Sequence, residues 1–160
     1  EGNPSYFSHE GVLYGYDAEG NQKLIAYPKA KEAENYKIVD GTKIIGVEAF
    51  NSARKLKGIE MPDSLETIEN YAFYYCDGIT EMVLGKNVAN LGYHSLAEMN
   101  NLTTLTLSEK MNAETTNSFL DWNDKLTTIY VPAEVTSLSE DVYFHEAALN
   151  SSDPSENNSR

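Results

Sequence analysis

The chain has 160 residues, 41% hydrophobic and 11% aromatic, enough to bury a core as one folded unit. Its 12 Lys and Arg against 25 Asp and Glu leave a formal net charge of -13, which repels phosphate backbones and anionic headgroups and argues against nucleic acid or an anionic membrane as partner. The single cysteine, Cys76, excludes an internal disulfide and a zinc site of clustered thiols, and no apolar run approaches the roughly 18 to 20 residues that span a bilayer.

The chain opens at Glu1 with neither Met nor a signal-like apolar segment, so a processed or excised chain is expected. Residues 11–28, GVLYGYDAEGNQKLIAYP, predict two strands, Val12 to Tyr16 and Lys23 to Tyr27, around a polar turn of Asp17, Glu19, Gly20 and Asn21. The resulting β-hairpin, within an N-terminal segment 1–32, is expected either to cap the open end of a repeat array or to interrupt a longer one.

From residue 33 the sequence repeats. Phe50, Phe73, Leu96 and Phe119 are spaced by 23 residues and Tyr143 follows at 24, each behind a small or compact residue (Ala49, Ala72, Ser95, Ser118, Val142). Further apolar columns share the register: Leu56, Ile79, Leu102, Leu126; Ile59, Met82, Leu105, Ile129; Ile38, Met61, Leu84, Leu107, Val131. Leu65, Val88, Met111 and Val135, and Ile45, Ile68, Leu91 and Leu138, make two more. Ile59 and Met61 alternate with Glu60 as a short strand does, and Pro62 and Pro132 stop that strand. The second half of each unit, with Ala72-Phe73 and then Cys76, predicts a helical turn or an irregular return segment.

One unit cannot bury its own apolar edge, whereas stacked units share a continuous core. Five units near 33–55, 56–78, 79–101, 102–125 and 126–148 are therefore expected, with the extra residue of the fourth in the loop Asp121 to Lys125. The fold class expected is an α/β-type repeat, a right-handed leucine-rich-repeat-like solenoid with a short parallel sheet on one face. Residues 149–160, polar and without apolar anchors, are expected to be a disordered tail.

The segments IEMPDSLETIENYAFYYC (59–76), VDGTKIIGVEAF (39–50) and IYVPAEVTSL (129–138) resemble the BspA-like class of bacterial surface-protein leucine-rich repeats, over roughly residues 36–148. The resemblance is looser where Tyr93-His94-Ser95-Leu96 and Asn117-Ser118-Phe119 replace Ala-Phe, and where Met99 and Trp122 are assigned to the Cys76 column. It implies surface display or secretion.

Chemistry-bearing motifs are sparse. His9, His94 and His145 fall in unrelated repeat phases, without ligand spacing, and read as surface residues. Asp17, Glu19 and Asn21 around Gly20 lack the terminal bidentate Glu of a calcium loop and read as a turn. Cys76, in an inward repeat position, reads as a buried, inert thiol. No phosphate loop, nucleophile elbow or zinc-protease motif occurs, so neither catalysis nor a cofactor nor a metal is expected.

The default binding surface is the strand face, where outward positions form columns. One holds Lys37, Glu60, Val83, Thr106 and Tyr130, and its neighbour holds Glu81, Thr104 and Thr128. These eight residues are the candidate ligand-binding set for an extracellular protein or glycan, although exposed threonines also stabilise sheets without binding anything. Tyr71, Tyr74, Tyr75 and Tyr93 are expected to lay their rings across neighbouring repeats as a belt on the other side. Three roles are open: a recognition or adhesion module, a passive spacer, or an accessory module of a larger carbohydrate-active or proteolytic enzyme.

Overall fold

The structure, a computed structural model, describes residues 2–112 and 118–138, and the backbone alone of 148–151. The N-terminal segment is three-stranded: β1 (Tyr6–His9), β2 (Val12–Tyr16) and β3 (Gln22–Ala26) pair antiparallel in order. Strand β1 was not expected. It is joined to β2 by Glu10 and Gly11, both at positive φ (50° and 80°), the conformation of the tightest hairpin turn. The β2–β3 turn is held by Asp17, whose carboxylate accepts from the Glu19 amide (2.9 Å) and the Asn21 amide (2.8 Å). This is the expected polar turn in atomic terms.

Beyond it the chain winds as a β-solenoid of about four coils. On one side, β4 (Asn35–Lys37), β6 (Gly58–Glu60), β8 (Glu81–Val83), β10 (Thr104–Thr106) and β11 (Thr128–Val131) recur in register. Strands β8, β10, β11 and β12 (Ala148–Ser151) form one parallel sheet, and β4 with β6 a separate two-stranded ladder. On a second side, β5 (Ile44–Ile45), β7 (Thr67–Ile68) and β9 (Asn90–Leu91) pair in parallel. Strand β3 joins that ladder alongside β5, so the hairpin extends one sheet of the solenoid.

The return side holds no helix; among the described residues every regular element is a strand, and the helical return and the α/β label are corrected to an all-β repeat. The backbone shows why. Each coil bends twice through the left-handed region, at Glu48, Tyr71, His94 and Ser118, and again at Ser52, Tyr75, Glu98 and Trp122, with φ from 51° to 62°. A left-handed residue every fourth position breaks a right-handed helix. The amides turn instead to the next coil: Phe50 N donates to Ala72 O, Phe73 N to Ser95 O and Leu96 N to Phe119 O, each at 2.8 Å. The return side is thus a third inter-coil ladder.

The same ladder relocates the extra residue. Leu96 N meets Phe119 O where Phe73 N meets Ser95 O, and the bend at His94 recurs 24 residues on at Ser118. Phe119 therefore continues the small-residue column, Leu120 takes the Phe position, and the insertion lies between Met111 and Ser118 rather than around Asp121 to Lys125.

The core runs the length of the stack. Ile45, Ile68 and Leu91, Leu65 and Val88, and Leu105 and Ile129 are fully or almost fully buried. Burial of such a side chain contributes about 1.5–3 kcal/mol. An aromatic file begins in the hairpin, where Phe7 stacks on Tyr14 and the Tyr14 hydroxyl meets that of Tyr36 at 2.6 Å. It continues through Tyr27 and Phe50 to Phe73, with ring centroids 5.0 and 4.8 Å apart. Of the tail placed at 149–160, Leu149 to Ser151 fall within β12; residues 152–160, Tyr143 and His145 lie outside the described residues.

Candidate functional site

On the strand face, alternation turns Met82, Leu105 and Ile129 into the core and their neighbours outward. Register then aligns the outward residues: Val83 with Thr106 and Tyr130, and Glu81 with Thr104 and Thr128. Six of the eight candidate residues therefore form two adjacent rows on three paired strands. Val83 is 63% exposed and Tyr130 39%, so the longer row presents apolar area to solvent.

The other two candidates behave differently. Lys37 and Glu60 are aligned on the separate β4–β6 ladder, where their side chains pair at 3.3 Å. Lys57 pairs likewise with Glu34 at 2.7 Å, and Lys55 with Glu32. These exposed pairs tie one coil to the next and contribute about 0–1 kcal/mol each. Beside the rows, Thr103 and Thr127 hydroxyls donate to the carbonyls of Thr80 and Thr103, a structural use of threonine.

The tyrosine belt on the return side is real and more ordered than its sequence suggests. Tyr71 sits edge-on to Tyr74 and Tyr93 at 5.2 and 5.8 Å. His94, read from the sequence as a surface residue, is 4% exposed at the centre of the belt. Its ring stacks on Tyr93 at 3.6 Å, meets the edge of Trp122 at 4.6 Å, and places Nε2 3.3 Å from the Asp121 carboxylate. The Tyr75 hydroxyl, then burial, push the Tyr74 phenol up to about 12. His9 is exposed.

Cys76 is buried, its thiol donates to Phe50 O at 3.0 Å, and burial pushes its pKa up to about 12. A thiolate nucleophile is not available at that position near neutrality. The sequence reading put Trp122 in the Cys76 column, but Trp122 points outward and Asn123 takes the inward place, 6% exposed. Asn123 Nδ2 donates to Leu96 O (2.7 Å) and Leu120 O (2.8 Å), and its Oδ1 accepts from Met99 N (2.8 Å). Leu96 is in the Phe50 position two coils on, so Cys76 and Asn123 perform one task with different atoms. The polar Asn-Asp-Lys run around it hid this residue in the sequence.

The model of the BspA type leucine rich repeat region matches residues 26–150 in 6 copies. Comparison with curated proteins gave no match. The chain is similar to a leucine rich cell surface protein of Faecalibacterium prausnitzii A2-165, at 28% identity and a TM-score of 0.78, over 92% of this chain and 38% of that one. It is also similar to the pneumococcal vaccine antigen PcpA, at 33% identity and a TM-score of 0.67, over 86% of this chain and 38% of that one. A leucine rich repeat protein of T. pallidum, 18% identical with a TM-score of 0.61 over 74% of this chain and 68% of its own, shows the shared fold. The chain thus spans 38% of the length of each of the first two proteins. With the repeat model matching most of its length, the chain belongs to the BspA-type leucine-rich-repeat family.

Proposed function

We propose that the chain is a non-catalytic recognition module, displayed at or secreted from a bacterial surface, that binds an extracellular protein or glycan through its strand face. The observation that carries this reading is the row Val83, Thr106, Tyr130, held on adjacent strands with Val83 and Tyr130 open to solvent. Tyrosine offers rigid apolar area with a hydroxyl at its tip, and valine and threonine beside it add a flat contact without long side chains to immobilise. Family membership supports a protein-binding role, and the F. prausnitzii relative is described as a cell surface protein.

The test is a binding screen of the purified chain against extracellular-matrix proteins, mucins and polysaccharides, with a Thr106→Lys, Tyr130→Ala double variant alongside. Saturable binding that the folded double variant loses is the expected result. Binding that survives in the variant moves the site off this face. The spacer reading is favoured by the cross-coil pairs and bonded threonines near the rows, and it predicts no saturable partner and full tolerance of the double variant.

A further inference from the structure

The return side carries a second surface that the strand-face reading does not use. Tyr71, Tyr74 and Tyr93 surround the buried His94, with Trp122 on the far flank and Tyr75 packed on Tyr74. Tyr93 and Trp122 are each 48% exposed, so two ring faces or edges stand in solvent on an otherwise supported aromatic bed. Carboxylates accompany the rings: Asp121 is in contact with His94, Glu98 acts electrostatically on Tyr74, and Asp77 lies two residues beyond Tyr75. Aromatic faces are negative at their centres, and carboxylates add whole charges, so the patch is built to attract cations.

One cation is already placed there by the chain itself. The Arg54 guanidinium lies 5.8 Å from the Tyr75 ring centroid, and its Nε is 3.6 Å from the Asp77 carboxylate. Further along the return side the exposed Tyr93 and Trp122 both pack on His94, whose Nε2 lies 3.3 Å from the Asp121 carboxylate, and Glu98 N donates to Asp121 O, so acidic residues border these rings as well. The positions that correspond to Arg54 in those coils are Asn100 and Asp124, neither of them a cation. The formal net charge of -13 favours the same class of partner at longer range.

We propose that the return-side patch around Tyr93, Glu98, Asp121 and Trp122 is a docking site for arginine side chains of a basic polypeptide segment. Arginine suits it better than lysine, because a planar guanidinium stacks on a ring while its edge reaches a carboxylate. A neutral sugar would stack on the rings and donate hydroxyls to the carboxylates but leave their charge uncompensated.

Trp122 is the only tryptophan, so its emission reports on the patch directly. The experiment titrates the whole chain with a short peptide carrying two arginines in a neutral background, with glutamine-substituted and lysine-substituted peptides and a neutral oligosaccharide as parallel probes. The expected result is a saturable change in Trp122 emission with the arginine peptide, weaker with lysine and absent with glutamine. Glu98→Gln and Tyr93→Leu should each weaken binding by about two- to fivefold. Glu19→Gln, which removes an equal charge on the β2–β3 turn, should leave it unchanged. Far-ultraviolet circular dichroism confirms that each variant is folded. The proposal is overturned if the glutamine peptide or the oligosaccharide gives the same response as the arginine peptide. Equal weakening by Glu19→Gln and Glu98→Gln also overturns it, since that is attraction to net charge and not docking.

Discussion

The strand face and the return face are built from the same 23-residue unit, yet they hold the solenoid together by different means. On the strand face, β8, β10 and β11 use extended backbone, whose alternation leaves two outward side chains per strand free of packing duty. On the return face, two left-handed bends per coil turn the amides toward the next coil and drive Phe50, Phe73 and Leu120 inward. Left-handed conformations in non-glycine residues cost of order 1–3 kcal/mol each and persist only where the surroundings over-determine them. Rigidity therefore resides on the return side, while the strand side is the one free to vary its outward residues.

The largest expected effect belongs to the return side. Phe73, fully buried and stacked on Phe50 at 4.8 Å, should cost about 3–5 kcal/mol when changed to Ala, read as a lower urea midpoint. Asn123→Ala should cost about 2–3 kcal/mol, because it leaves Met99 N and the carbonyls of Leu96 and Leu120 without their partner inside the core. A small loss from either variant would break the contrast between the faces.

Alkaline pH probes the same interior. Burial raises the Cys76 pKa from the ordinary 9.0 to about 12, and raises the phenols of Tyr14 and Tyr36 above their ordinary 10.0. A proton held more tightly in the folded state means that stability is intact below about pH 9 and falls as pH rises toward the folded-state values. The thiol alone should remove between about 1 and 2 kcal/mol by pH 10, seen as a falling urea midpoint between pH 9 and 10. A midpoint constant across that range would show that the thiol and phenols are not enclosed. Ser95→Ala should act in the opposite sense. Among the described residues the buried Ser95 hydroxyl has no hydrogen-bond partner, and it stands in the column that holds Ala49 and Ala72, so its removal should raise stability by about 1 kcal/mol.

Smallest is the strand face. Thr106→Ala should change stability by less than about 0.5 kcal/mol, since its side chain is half-exposed and stands outside the core. A loss as large as that from Asn123→Ala would mean that the row is structural, and the recognition reading would lose its main support.

Much of the strand face was legible in the sequence because period-two alternation holds there: Ile59, Met82, Leu105 and Ile129 mark four of the strands, and their register follows from spacings of 23 and 24 residues. The return face was less legible. Left-handed bends are usually signalled by Gly, Asn or Asp, but here they fall on Glu, Ser, Tyr, His and Trp, which carry no such signal. Phe119 misled for a related reason: as an aromatic 23 residues after Leu96 it mimics the Phe column, and only the bond from Leu96 N to Phe119 O shows the shift. His94 looked exposed because its sequence neighbours are polar or tyrosine, while the rings that enclose it come from three coils. The candidate binding rows were legible as positions; the pairing of Lys37 with Glu60 needed side-chain geometry.

The most direct test of strand-face recognition is amide hydrogen exchange of the whole chain, free and saturated with the partner recovered from the binding screen. Added protection is expected at β8, β10 and β11 around Val83, Thr106 and Tyr130, with the Phe50–Phe73 ladder already slow in the free chain and unchanged on binding. Protection confined to the return side, with the strand face exchanging as in the free chain, would contradict it.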